Sequence, residues 1–306
     1  MSDIAASMES VPLPARDAAR RRRQSKGLSR LWGKAEWTTR LSIFVFVLIL
    51  AAAAFGPMIA PFDPNAQTLL ARLRPPIGFD RAMSLHPLGT DQLGRDLLSR
   101  TLHGLQLTMV IALAGSFISL VVGVVGGIVA GYVRGRTGAF IMAIVDTQMA
   151  VPFTLIALLA IAIFGNTLPV LVCVIGLSGW EVYARIVRAQ VLSISRQPFV
   201  EAARAAGASH MRILFHHVLP NVTSPIIVVW TMTFSALILL ESSLSFLGIG
   251  VQPPTATLGS MVGLGRDYLA TNPWIAVVPS LVIMFVSLLV LLIGDWLRDA
   301  LDVKLK

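Results

Sequence analysis

Apolar runs of about 20 residues, with few or no charges, recur along this chain. Each has the length a helix needs to cross a ~30 Å hydrocarbon core. Charged residues make up only 13% of the chain, against the ~25% usual in soluble domains, and mean hydropathy is +0.76. The expected fold class is therefore all-α: a polytopic membrane protein with six transmembrane helices. The runs place these at about Leu41–Ala60, Leu105–Tyr132, Phe140–Phe164, Pro169–Val187, Val222–Leu240 and Pro273–Gly294.

The remaining segments set the organisation. Residues 1–40 form a polar tail with Arg20, Arg21, Arg22 and Arg23 at its centre, read as a disordered tail that fixes orientation or touches anionic lipid headgroups. The first span, 41–60, carries ten Ile, Phe, Val and Leu residues between Ile43 and Ile59, which favour insertion by roughly 3–6 kcal/mol. Both it and the polar region before it are long for a cleaved signal peptide. Residues 61–104 are a loop rich in Pro, Gly and Asp. A core from 105 to 294 follows, interrupted by a polar segment at 188–221, and 295–306 form a polar tail.

A net charge of +9 would suggest nucleic acid in a soluble protein. Here nineteen of the 25 basic residues fall in the tails, the 134–136 turn and the stretch from Arg185 to Arg212. Six (Arg72, Arg74, Arg81, Arg95, Arg100 and Arg266) fall on the other side. The positive-inside rule puts both termini and the 188–221 segment in the cytoplasm, and it accounts for the charge without nucleic acid.

Within that segment Pro198 suits a first helical position. Phe199, Ala202, Ala203 and Ala206 then recur at helical spacing, with Glu201 and Arg204 on the other side, spaced to pair. Gly207 can take the left-handed conformation that ends such a helix. Ser209 caps a second short helix, whose Met211, Leu214, Phe215 and Val218 repeat the stripe before Pro220 stops it. Such a pair makes a compact knob, or a hairpin lying on the lipid surface.

Glu-Ala-Ala, three residues, Gly, then Leu-Pro twelve residues after the glycine resembles the loop by which ABC importer permeases dock onto their ATP-binding subunits. The resemblance carries that coupling role onto Glu201, Ala202, Ala203, Gly207, Leu219 and Pro220, with Phe199, Met211, Leu214 and Phe215 as the apolar docking residues, so 188–221 becomes a cytoplasmic coupling-helix loop. Where that family often has Ile, this chain has His217. Three further stretches are similar to the membrane subunits of dipeptide, oligopeptide and nickel importers: Leu88-Gly89-Thr90-Asp91 with Gly94-Arg95-Asp96; Leu244-Ser245-Phe246-Leu247-Gly248 with Gln252-Pro253-Pro254; and Gly294-Asp295 with Leu297-Arg298-Asp299.

What this implies is a bacterial inner-membrane subunit, not itself an enzyme, that forms half of a path for peptides. The same architecture serves nickel or glutathione-like substrates. Expected partners are a homologous second permease, two ATP-binding subunits carrying the ATP and Mg, and an extracytoplasmic substrate-binding protein. The residues agree on one point: a phosphate loop needs Gly-Lys followed by Ser or Thr, and the only Gly-Lys pair, Gly33-Lys34, precedes Ala35.

Other chemistry finds little support. Asp146 and Glu241 lie inside apolar runs, where each acid costs about 2.5–3.5 kcal/mol. They line a translocation path, or they hold helices together. Gly176-Leu177-Ser178-Gly179 matches an intramembrane serine protease pattern, but none of the five histidines falls within a predicted span to serve as base. His210, His216 and His217 have no accompanying Cys or acidic ligand at a metal-ligand spacing. Cys173, alone, reads as a small core residue. A gradient-driven secondary transporter is the rival class.

Overall fold

The computed structural model describes residues 36–133 and 135–301, and among them the architecture is helical without strands. The arginine run at 20–23, Arg134 and the last lysines lie outside the described residues.

The helices are α1 (Trp37–Ile59), α2 (Leu97–Tyr132), α3 (Gly135–Ala150), α4 (Phe153–Phe164), α5 (Leu168–Gly176), α6 (Trp180–Ile194), α7 (Pro198–Ala205), α8 (His210–Ile213), α9 (Leu219–Phe246), α10 (Leu258–Gly265) and α11 (Trp274–Leu301). Five continuous stretches are long and apolar enough to cross a membrane, or six when the bent pair α3–α4 counts as one span.

Helix α2 is the hub. It packs against α1, α5, α6 and α9, and α11 closes the bundle against α9 and α10. It lies so close to α6 that glycine is required at the crossing. A Cβ on Gly127 would lie 2.7 Å from the Ala184 carbonyl oxygen. Such small-residue contacts suit membrane helices, which gain mainly from close packing. Two of the core clusters centre on Met109, Ile238 and Val286 and on Ile111, Ile175 and Leu244.

Several expected boundaries move. The second span starts at Leu97 rather than Leu105, because Asp96 caps it by accepting from the Ser99 N–H at 2.7 Å. The third breaks into α3 and α4, bent by 95°. Pro152 lacks an N–H and disfavours helical geometry at Val151. The fourth breaks between Gly176 and Trp180, with Gly179 left-handed at φ +86°, and then runs to Ile194, past Val187. The last helix continues to Leu301, so most of the expected tail from 295 is helical.

Pro220 does not stop a helix. A π-helical turn at Leu214–Val218 carries α8 into α9, with Pro220 in α9's first turn, where its missing N–H is tolerated. Cys173 is exposed and not in the core, since α5 turns Leu171, Val174 and Ile175 inward instead.

Candidate coupling surface

The segment after α6 folds as two short helices across a tight turn. Gln197 is extended and Pro198 opens α7. Gly207 takes φ +80°. Around it the Gly207 N–H donates to Arg204 O at 2.9 Å and the Ala208 N–H to Ala203 O at 3.0 Å. This is the paired closure that satisfies carbonyls at a helix end and favours glycine there. Ser209 accepts from the Arg212 N–H at 3.4 Å and caps α8.

The knob is anchored by Val200 and Ile213, which lie outside the expected stripes, together with Val218 from the second stripe. Val200, Ile213 and Val218 are fully buried, against Val187, Val191, Ile194 and Val222 of α6 and α9. Ala203, Leu214 and Leu219 pack partly against that cluster. Phe199, Met211 and Phe215 stand outward at 45%, 64% and 54% exposure, with Glu201, Ala202, Ala206, Gly207 and Pro220 also exposed. Helical spacing marked a face as apolar but could not say which apolar face meets the protein itself. Glu201 and Arg204, spaced to pair, form no ion pair with each other. His217, the departure from the family pattern, sits beside the Phe199 ring at 5.9 Å. Tyr132 Oη at the end of α2 is 2.8 Å from His210 Nδ1, which fastens α8 to the hub helix.

The structure does not bring the two intramembrane acids together. Glu241 is fully buried on α9. It accepts from Ser245 Oγ at 2.7 Å and Thr108 Oγ1 at 3.3 Å. Thr108 also accepts from the Leu258 N–H at 3.1 Å, so the acid's network ties α2, α9 and α10 together. Asp146 on α3 is exposed and pairs with Arg185 Nη2 of α6 at 2.6 Å.

Residues 123–306 match the family described as "Binding-protein-dependent transport system inner membrane component", and residues 38–76 match the "N-terminal TM domain of oligopeptide transport permease C". The chain belongs to the binding-protein-dependent transport permeases. Among its relatives is the di/tripeptide transport system permease protein DppC of Pseudomonas aeruginosa, 41% identical across 86% of this chain and 87% of that one. The oligopeptide permease OppC of Bacillus subtilis is 36% identical, covering 87% and 85%. The glutathione permease GsiD of Pectobacterium atrosepticum is 36% identical, covering 86% of each. In fold the chain is similar to a chain of the MetNI methionine ABC transporter in inward-facing form. The TM-score is 0.53 at 20% identity, over 66% of this chain and 96% of that one.

In this permease the Leu88–Arg100 stretch forms a buried polar knot under the start of α2. Asp91 receives Arg95 Nε at 2.6 Å and lies 3.4 Å from Arg100 Nε. Asp96 receives Ser99 and sits 2.9 Å from His86 Nδ1. The aspartates thus organise a loop that has little apolar core of its own.

Two residues of the permease escaped the sequence reading. Gln148 on α3 donates from Nε2 to Leu177 O at 2.7 Å, in the break between α5 and α6. The same nitrogen lies 3.2 Å from Glu181 Oε2, and Gln148 Oε1 accepts from Trp180 Nε1 at 2.7 Å. Glu181 stands inside the expected fourth span just as Asp146 stands inside the third, and that position is the signal that could have found it.

Proposed function

We propose that this permease forms half of the translocation path of an ATP-driven importer of di- and oligopeptides, and that the outward face of α7 and α8 docks onto a separate ATP-binding subunit. The observation that carries the docking is the division of the knob. Val200, Ile213 and Val218 hold it to the bundle, while Phe199, Met211 and Phe215 are left outside. Exposed apolar groups on a cytoplasmic protrusion favour a protein partner.

The names of the relatives support peptides as cargo. GsiD makes glutathione-like peptides the second reading, and nickel is the remoter one. The full transporter would add a homologous permease, two ATP-binding subunits that hold ATP and Mg, and an extracytoplasmic binding protein. The charge distribution supports cytoplasmic termini in a bacterial inner membrane.

The coupling step follows from chain continuity. From His210 to Phe246 the backbone is one 37-residue helical stretch. Movement of the ATP-binding subunits at α8 is therefore delivered along α9 into the bundle, which alternates between inward- and outward-facing states.

Gly207→Val tests this. No atom lies within 4 Å of a Cβ there, so the change acts through the left-handed backbone, at about 1–2 kcal/mol. The variant should insert and fold, while peptide uptake and transport-coupled ATP hydrolysis both fall. Normal coupled uptake would remove the coupling role.

A further inference from the structure

A second polar cluster lies deep in the bundle, on a face this chain leaves open. The α5–α6 span runs 27 residues from Leu168 to Ile194. Leu177 is about 14 Å along it from one end and Arg185 about 14 Å from the other. Gln148, Trp180 and Glu181 are bonded within that central stretch, and the Asp146–Arg185 pair sits at its edge toward Ile194. Both spans are broken beside the cluster, α3–α4 by a 95° bend and α5–α6 at Gly179.

Irregular backbone at membrane depth persists only within protein or beside a water-filled cavity. Charged side chains there follow the same rule. Asp146 and Arg185 keep side-chain exposures of 65% and 52%, and by that rule a water-filled space or protein, rather than lipid, suits the face beside them.

We propose that Asp146, Gln148, Glu181 and Arg185 line the transport path and form this permease's contact site for the ends and amide groups of a translocating peptide. The assignment rests on the peptide-importer reading above. The Arg185 guanidinium matches a terminal carboxylate in bidentate geometry. The Asp146 and Glu181 carboxylates match a terminal ammonium, and the Gln148 amide matches a peptide group. With the path empty, Asp146 and Arg185 neutralise each other. A zwitterionic peptide exchanges partners with them, so no net charge is added to the membrane interior. Glu241, the other acid in a span, is sealed inside packing and takes no part.

The test uses the complete transporter in membrane vesicles, with its partner permease, ATP-binding subunits and binding protein. Cys173→Ala removes this chain's one thiol, and labelling is read on this chain alone. Asp146→Cys and Arg185→Cys are then added singly, with Met149→Cys as a probe that keeps both charges; Met149 is exposed one helical turn from Asp146. A membrane-impermeant thiol reagent should modify all three, and a transported dipeptide should slow the reaction. Separately, Arg185→Gln should lower dipeptide uptake by at least about tenfold, as expected for loss of a charged contact.

Sites that stay unmodified from both sides of the membrane in a transporting complex would overturn the proposal, as would modification that the dipeptide does not slow. Unchanged uptake by Arg185→Gln would overturn it too. The parent reading fails separately, if the complex with Cys173→Ala alone takes up no peptide with ATP.

Discussion

The Ala184 carbonyl oxygen of α6 lies against the bare α-carbon of Gly127 on α2, where a methyl group would come within 2.7 Å of it and 2.8 Å of Val187 Cβ. Both obstacles are fixed, one being backbone and the other a β-branched side chain. Gly127→Ala should therefore force the helices apart and cost about 1–3 kcal/mol. At the adjacent Gly126 an added Cβ meets the Trp180 ring at 3.4 Å and Ile141 Cγ2 at 4.0 Å, both ordinary contacts, so Gly126→Ala should be silent. Thermal unfolding of the purified complex in detergent separates the two, and equal midpoints would contradict this helix crossing.

Asp91 is 3% exposed and faces Arg95 and Arg100, themselves 4% and 3% exposed. Asp91→Ala leaves two buried guanidinium groups without their carboxylate. Removing one partner of a buried ion pair costs about 3–5 kcal/mol. Hydrogen exchange across 61–96 should accelerate strongly, and limited proteolysis should cut there first. Native-like protection of that loop would show that Arg95 and Arg100 are held by something else.

The two faces of the proposed coupling knob predict opposite phenotypes. Ile213→Ala removes a fully buried side chain and should cost about 2–5 kcal/mol. Phe215→Ser removes an exposed ring, should change stability by less than about 0.5 kcal/mol, and should reduce uptake and ATPase coupling. Unfolding midpoints and ATP-dependent uptake, measured on the same preparations, check both. A destabilised Phe215→Ser protein with intact coupling would reverse the assignment of faces.

Glu241 is expected to act structurally. Glu241→Gln keeps an acceptor for Ser245 and should transport normally. Glu241→Ala leaves the Ser245 and Thr108 hydroxyls unmatched, at a cost of about 1–3 kcal/mol, and loosens α10. A Glu241→Gln protein of normal stability that fails to transport would place the acid on the path after all.

Much of this was legible in the chain. The length of the apolar runs announced spanning helices, and the Glu-Ala-Ala…Gly…Leu-Pro spacing marked the knob. Gly207, Ser209 and Pro198 disclosed its turn and caps, because those are local backbone requirements. Pro220 misled, since a helix stop is a local inference and the π turn before it absorbs the ring. The Phe199–Ala206 stripe said nothing of the residues that anchor the knob. Periodicity reports that a face is apolar, and the burial of Val200 instead depends on where α6 and α9 lie.

By itself, the sequence determined what lipid and backbone geometry dictate: helices of spanning length, a polar segment between spans, caps, and no phosphate loop for ATP. Only the tertiary structure decided the contacts between residues far apart in the chain. It put Gln148 on the Leu177 carbonyl and Arg185 on Asp146, sealed Glu241 in a satisfied network, and turned Phe215 outward while Ile213 went in. The reason is that burial and pairing at membrane depth depend on which helix faces which, and no local pattern carries that information.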